Sequence, residues 1–246
     1  MSFAAFVMDD KLGNSQLTLG NQLLLCLPPN DLDIIRPHLE PITLEPGYLL
    51  ADYCDSLSHC FFPRNGLISL IALAAKGSAC EVGYIGREGM LGLPAIFGKN
   101  EMPYQAMIQV RTDGFSVDVD KVSDLFHQHP QFRKHSLHFI YVLLRQFAQT
   151  SLCNHYHDIQ SRLCRTLTIL SERSGSLRVT VTQERLSYLL GVQRSSIAVV
   201  AYGLQRGGLI AYKRGTIELT DPEKIRRSAC ECLAIVEAEI ESLLIK

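Results

Sequence analysis

The stretch Gln183-Glu-Arg-Leu-Ser-Tyr-Leu-Leu-Gly-Val-Gln-Arg-Ser-Ser-Ile-Ala-Val-Val-Ala-Tyr202 decides how the rest of this 246-residue chain is read. Two short helices crossing at a steep angle need a tight turn, and glycine serves where the backbone reaches positive φ. Gly191 stands at that place. Leu186, Leu190, Val192, Ile197 and Val200 are spaced to supply the apolar contacts between the helices, and Ser187 is small enough for their close approach. Thr182 can cap the first helix, although Arg185 removes the reciprocal carboxylate of a capping box. The second helix presents Gln193, Arg194, Ser195 and Ser196 at its exposed start. Those residue types hydrogen-bond base edges and phosphates. A generic helical hairpin reproduces one or two of these features, not the set.

Downstream, Gly207-Gly208 ends the second helix, and Leu209 to Tyr212 and Thr216 to Leu219 flank Lys213-Arg214-Gly215. This predicts a β-hairpin with a basic tip, a shape that reaches a phosphate backbone. Upstream, Asp158 can cap a helix running through Ser161-Arg162-Leu163-Cys164-Arg165-Thr166-Leu167, and Ser174-Gly175-Ser176 breaks the chain after it. Formal charge follows the same division: residues 1–158 carry −5, residues 159–229 carry +7 and residues 230–246 carry −3, within a total of −1. A basic segment between acidic ones is expected of a nucleic-acid-binding domain joined to something else.

The length suits two domains, and 47% apolar with 20% charged residues is an ordinary globular composition. From about Leu39 to Val119 short strands alternate with turn residues. The strands are Tyr48 to Leu50, Cys60 to Phe62, Leu67 to Leu73, Cys80 to Tyr84, Ala106 to Val110 and Gly114 to Val119. The turns include Glu45-Pro46-Gly47, Pro63-Arg64-Asn65-Gly66, Lys76-Gly77 and Asp113-Gly114, a pattern that suggests a β-barrel or β-roll. Ahead of it, Pro29-Asn30-Asp31 opens a short helix with Leu32, Ile35 and Leu39 on one face. After Pro130 the period becomes helical to about Tyr156, with Leu137, Ile140, Leu144, Phe147 or Ala148, and Ser151 on one stripe. Its length and spacing predict a dimerisation helix that also joins the two halves; the alternative is a core helix of one domain.

Several classes are excluded. The longest apolar run, Gly66 to Ala75, is about half the ~20 residues of a membrane span. Met1 to Asp10 has no basic start, and Asp9 and Asp10 interrupt any export signal, so a cytoplasmic location is expected. The eight cysteines form no Cys-x-x-Cys array. His127-x-His129 and His155-x-His157 are read as surface or helix-end residues, so no metal and no cofactor is expected. Cys54, Cys60 and Cys80 are read as packing residues rather than redox sensors. The glycine run over residues 86–92 lacks the strand-loop-helix context of a nucleotide loop, and no nucleophile-base pair is apparent, so the chain does not read as an enzyme.

Taken in order, the chain resembles the Crp/Fnr family of bacterial transcription regulators. The match is carried by Thr182-Gln183-Glu184, by Leu189-Leu190-Gly191-Val192-Gln193-Arg194 and by Leu204-Gln205-Arg206-Gly207-Gly208-Leu209-Ile210, with the Arg-Leu helix near Arg162 in support. The resemblance implies an α+β fold: a jelly-roll-like double-stranded β-roll over 18–129, a dimerisation helix over 130–157, a winged helix-turn-helix over 158–229 and a C-terminal helix over 230–246. It implies a homodimer on a near-palindromic site in double-stranded DNA, with RNA polymerase as a partner if the protein activates, and a small-molecule effector of unidentified kind. The expected DNA contacts are Thr182, Gln183, Gln193, Arg194, Ser195, Ser196, Lys213 and Arg214.

Two departures shape the expectation. Family members that bind cyclic AMP use a Gly-Glu pair and, about ten residues later, an arginine; Gly92-Leu93 and the neighbourhood of Pro103 and Tyr104 stand there instead. Gly92, Leu93 and Tyr104 are therefore effector-pocket candidates for another ligand, and cyclic AMP is not expected to bind. In the recognition helix, Ser195 and Val199 replace charged residues and only Arg194 remains, so the family's usual half-site is not transferred. With only Cys26 ahead of the β-roll, an iron–sulfur centre is not expected. The competing reading is a sensor or scaffold whose winged domain makes protein contacts only.

Overall fold

The computed structural model describes residues 19–75, 77–99 and 101–243. Readings that touch Met1 to Asp10, Thr18 at the start of the β-roll, Lys76 in its turn and residues 244–246 lie outside the described residues. Helices α1 (Gln22–Leu25) and α2 (Pro29–Ile35) come first, α2 with a proline in its first turn, where a missing N–H costs nothing. Strands β1 (Glu40–Leu44), β2 (Leu49–Ala51), β3 (His59–Pro63), β4 (Leu67–Leu73) and β5 (Ala79–Ile85) follow, then α3 (Leu93–Ile96), β6 (Gln105–Val110) and β7 (Thr112–Asp118). They form two antiparallel sheets, ordered β1-β7-β3 and β2-β6-β4-β5. Phe62, Ile68, Leu70, Ile85, Ile108 and Phe115, drawn from both sheets, are fully buried in one core. Val119, expected to close a strand, instead begins α4 (Val119–Gln128), because the Asp118 carboxylate accepts the Asp120 and Lys121 N–H groups and caps a helix there.

Helix α5 (Pro130–Tyr156) has the bounds read from the sequence. It covers the free edge of β5, where the Gln146 side-chain oxygen accepts the Tyr84 N–H at 2.5 Å and so satisfies a donor that an edge strand leaves unpaired. Its approach depends on Gly89, since a Cβ there would lie 1.9 Å from the buried ring of Phe139. The expected stripe on α5 is corrected in part. Leu137, Leu144, Ala148 and Ser151 are exposed, but Ile140 and Phe147 turn inward onto the core, Phe147 meeting Tyr104 edge-to-face at 6.2 Å. The exposed line runs through Leu137, Tyr141, Leu144, Ala148 and Ser151, alternating steps of four and three, because the β-roll claims the neighbouring face.

Only His157 and Asp158 separate α5 from α6 (Ile159–Ser174), which Asp158 caps by accepting the Ser161 N–H at 2.9 Å. Next come β8 (Arg178–Thr180), α7 (Gln183–Leu190), α8 (Arg194–Arg206), β9 (Ile210–Lys213), β10 (Thr216–Leu219), α9 (Pro222–Ser228) and α10 (Cys232–Ser242). Strand β8 was not anticipated; it extends the hairpin to a sheet ordered β8-β10-β9. Helix α10 lies along α5, tied by Arg145 to Glu239 at 2.9 Å. Among the described residues no helix is long and apolar enough to cross a membrane.

Candidate nucleic-acid interface

The reading surface is built outward from the α7–α8 turn. Gly191 adopts φ +63, the left-handed conformation for which glycine was singled out. Leu186, Leu190 and Ile197 are buried between the helices together with Leu163 and Leu167 of α6, and Val192 and Val200 pack against them half-buried. This leaves the start of α8 free: Gln193, Arg194 and Ser195 are exposed and Ser196 is partly so. No side chain caps α8, so the partial positive charge of its first turn faces outward with Arg194. Thr182 spends its side-chain oxygen accepting the Arg185 N–H at 3.1 Å, which keeps α7 capped, while the residue stays exposed and Gln183 is half-buried beside it.

The hairpin tip is a two-residue turn, Arg214 and Gly215, both with positive φ, between paired Lys213 and Thr216. That geometry is a primed turn matched to the strand twist. Lys213 and Arg214 are exposed, and the Gly215 carbonyl accepts the Val181 N–H at 2.9 Å, which holds the wing beside the start of α7. Thr182 and Gln183 are thus brought next to the wing. Two residues were missed: Val199 and Tyr202, 71% and 62% exposed, continue the outward face of α8 from Ser195, with Arg206 over the Tyr202 ring at 6.0 Å. The helical spacing 195, 199, 202 places Ser195, Val199 and Tyr202 on one face in the sequence, with Val199 where charged residues stand in the family.

The winged domain is also seated on the β-roll. Arg185 donates to the Gln109 side-chain oxygen at 2.6 Å and to the Ile108 carbonyl, and the Tyr188 hydroxyl donates to Gln105 at 2.7 Å. The arginine that breaks the capping box is therefore employed in holding α7 to β6. On the other side, Arg173 of α6 pairs with the buried carboxylate of Glu88 at 2.9 Å, and the Gly86 N–H donates to the same group.

The effector-pocket candidates are placed in packing positions. Gly92, Leu93 and Tyr104 are all buried; a Cβ on Gly92 would sit 2.5 Å from the Cys60 sulfur, and Tyr104 packs on Phe147. Burial pushes the Cys60 thiol up to about 12 and the Tyr104 hydroxyl up to about 12, as inert core groups. Cys80 is half-buried, but Cys54 is exposed in a turn at φ +65, so for Cys54 the packing reading is corrected.

The candidate interface is thus a helix pair joined at Gly191 with an exposed second-helix start, flanked by a basic wing and carried behind a β-roll and a long helix. Residues 161–228 match the Crp-like helix-turn-helix domain family. No curated protein sequence matches the chain. Among solved structures, a putative transcriptional regulator of the Crp/Fnr family from Eubacterium rectale ATCC 33656 is 15% identical. Its TM-score is 0.67, and the match covers 83% of this chain and 97% of the other. The c-di-GMP responsive global regulator CLP of Xanthomonas campestris is 17% identical with TM-score 0.65, covering 78% and 99%. A Crp/Fnr transcriptional regulator from Thermus thermophilus is 20% identical with TM-score 0.63, covering 77% and 98%. The chain thus carries a Crp-like helix-turn-helix domain and has the fold of Crp/Fnr transcription regulators.

Proposed function

We propose that the protein is a cytoplasmic homodimeric transcription regulator that reads a near-palindromic site in double-stranded DNA. The observation that carries this is the free start of α8 within the Crp-like domain, with Arg194 exposed beside a basic wing. Arg194, flanked by Gln193 and Ser195, reads a base edge, and Lys213 and Arg214 meet phosphates; Thr182, Gln183 and Ser196 complete the contact surface. Residues 18–129 serve as the effector domain, 130–157 as the dimer helix, 158–229 as the DNA reader and 230–246 as a C-terminal brace. The exposed α5 line through Leu137, Leu144, Ala148 and Ser151 supports pairing of two copies. RNA polymerase is the partner of an activator.

Cyclic AMP is not the effector in this reading. Leu93 supplies no carboxylate, Pro103 and Tyr104 supply no guanidinium, and the nearby Glu88 is already paired with Arg173. The test is a shift assay with genomic fragments selected by the purified protein, repeated over salt. Sequence-dependent complexes whose affinity falls steeply with salt are expected, because neutralised phosphates release counterions. Absence of any DNA complex at low salt identifies the winged domain as a protein-contact module instead.

A further inference from the structure

Four metal-ligating side chains from distant parts of the sequence meet where α5 ends and α10 begins. Cys153 and His157 stand one helical turn apart, Cys230 lies in the link after α9, and Cys232 opens α10. Their ligating atoms all lie within 4.8 Å of one another. The Cys153 and Cys230 sulfurs are 3.5 Å apart, and the Cys232 sulfur is 3.4 Å from His157 Nδ1. A tetrahedral zinc ion with its usual bond lengths sets such edges at about 3.8 and 3.6 Å, so these two open by a few tenths of an ångström while edges as wide as 4.8 Å would draw in. The three sulfurs are buried and form a small cluster of their own, apart from the main core.

The surroundings fit an outer shell around a thiolate-rich ion. His157 turns Nδ1 toward the cysteines, and its Nε2 lies 3.1 Å from the Glu231 carboxylate, the partnership that orients a ligating imidazole. Gln149 donates to the Cys232 sulfur at 3.1 Å. Arg162 and Arg165 of α6, both buried, interact electrostatically with Cys153 and Cys230, and the Nε of each has no hydrogen-bond partner. Buried guanidiniums with free N–H groups are expensive unless an anion faces them; Glu81 interacts with Arg165, and the cysteine cluster faces both arginines. Three thiolates and one neutral imidazole around a dication form a site of charge −1.

We propose that Cys153, His157, Cys230 and Cys232 bind one zinc ion per chain in a closed Cys3His site. Binding forms three Zn–S bonds and one Zn–N bond, releases to water the proton of each thiol still protonated, and changes no oxidation state. With four protein ligands no position is left for substrate, so the ion is structural. It fastens α10 and the end of the winged domain to the last turn of α5, beside the His157-Asp158 connection between the two halves.

The test uses the full-length protein purified under reducing conditions. Elemental analysis is expected to find one zinc per chain. Chelator-treated protein titrated with Co2+ is expected to show the thiolate charge-transfer and intense ligand-field bands of tetrahedral coordination. Those bands disappear in Cys153→Ser and Cys232→Ser and persist in Cys54→Ser, whose cysteine is exposed and outside the cluster. The wild-type cobalt spectrum decides the matter even if a cluster variant fails to fold. Reduced wild-type protein without bound metal and without tetrahedral bands overturns the proposal, as does a spectrum unchanged in Cys232→Ser. Peptide mapping that finds Cys153 and Cys230 joined as a disulfide in metal-free, freshly isolated protein also overturns it.

Discussion

Replacing Leu137 and Leu144 together by glutamate probes the proposed pairing of two α5 helices without touching the core of either chain. The two leucines are 51% and 60% exposed. Fully burying a leucine stabilises by about 1.5–3 kcal/mol, so the half left for a partner contributes roughly 0.8–1.6 kcal/mol per side chain. Two chains bring four such side chains to the seam, or about 3–6 kcal/mol per dimer. That is roughly 10²- to 10⁴-fold in the dissociation constant, at about 1.4 kcal/mol per tenfold, before the added repulsion of like charges. The isolated chain should keep its stability, because exposed substitutions usually stay within about 0.5 kcal/mol. Sedimentation velocity over a concentration series, with circular dichroism melts beside it, separates association from folding. A wild-type protein that is a monomer at micromolar concentration with operator DNA present, or a double variant that dimerises as tightly as wild type, refutes the reasoning.

Arg194→Ala is expected to weaken the preferred site by about 1–3 kcal/mol and relax preference at one base pair per half-site. Lys213→Ala instead weakens every sequence alike and lowers the salt slope by about one unit for each phosphate left without its cation. Competition titrations on single-base operator variants at several salt concentrations distinguish the two, and equal weakening on all variants for Arg194→Ala assigns it to phosphate. Arg173→Met leaves the Glu88 carboxylate buried with only the Gly86 N–H, and should cost about 3–5 kcal/mol in a denaturant titration; an unchanged midpoint contradicts the pairing. Gly191→Ala forces a side chain to φ +63 with its Cβ 2.9 Å from that of Cys80, so a loss of at least about 1–2 kcal/mol is expected from the backbone conformation alone. Calorimetry should detect neither cyclic AMP nor cyclic GMP at micromolar affinity, and a tight isotherm coupled to DNA affinity rules against the effector reading.

The winged domain was legible because its determinants are local. A glycine at one turn, a polar start to one helix and a glycine at a hairpin tip each act within a few residues, so Gly191, Thr182 and Gly215 could be assigned before any contact was known. The bounds of α5 were legible for the same reason, Pro130 setting its start and Asp158 the next cap. What failed was long-range. Ile140 and Phe147 belong to the same apolar spacing as Leu144, and only the β-roll packed on α5 shows which of them face inward. Gly92, Leu93 and Tyr104 follow from the family resemblance alone, and position in a motif carries no burial. The meeting of Cys232 with His157, 75 residues apart, is created by α10 folding back along α5. By local spacing His157 pairs with His155, although Cys153 one turn earlier shares its helical face.

The two-residue connection at His157 and Asp158 sets the angle between α5 and α6, and the length of α6 magnifies any difference in that angle. Helix α6 has 16 residues. It therefore extends ~24 Å from the connection, and a ~10° difference displaces its far end by ~4 Å. That is close to the rise of about 3.4 Å per base pair along one strand. For the proposed dimer on DNA, a difference of that size in the angle between α5 and α6 would correspond to a whole base step at each reading helix. In the proposed dimer, the half-site spacing would then depend on the backbone at Asp158, far from the residues proposed to touch DNA.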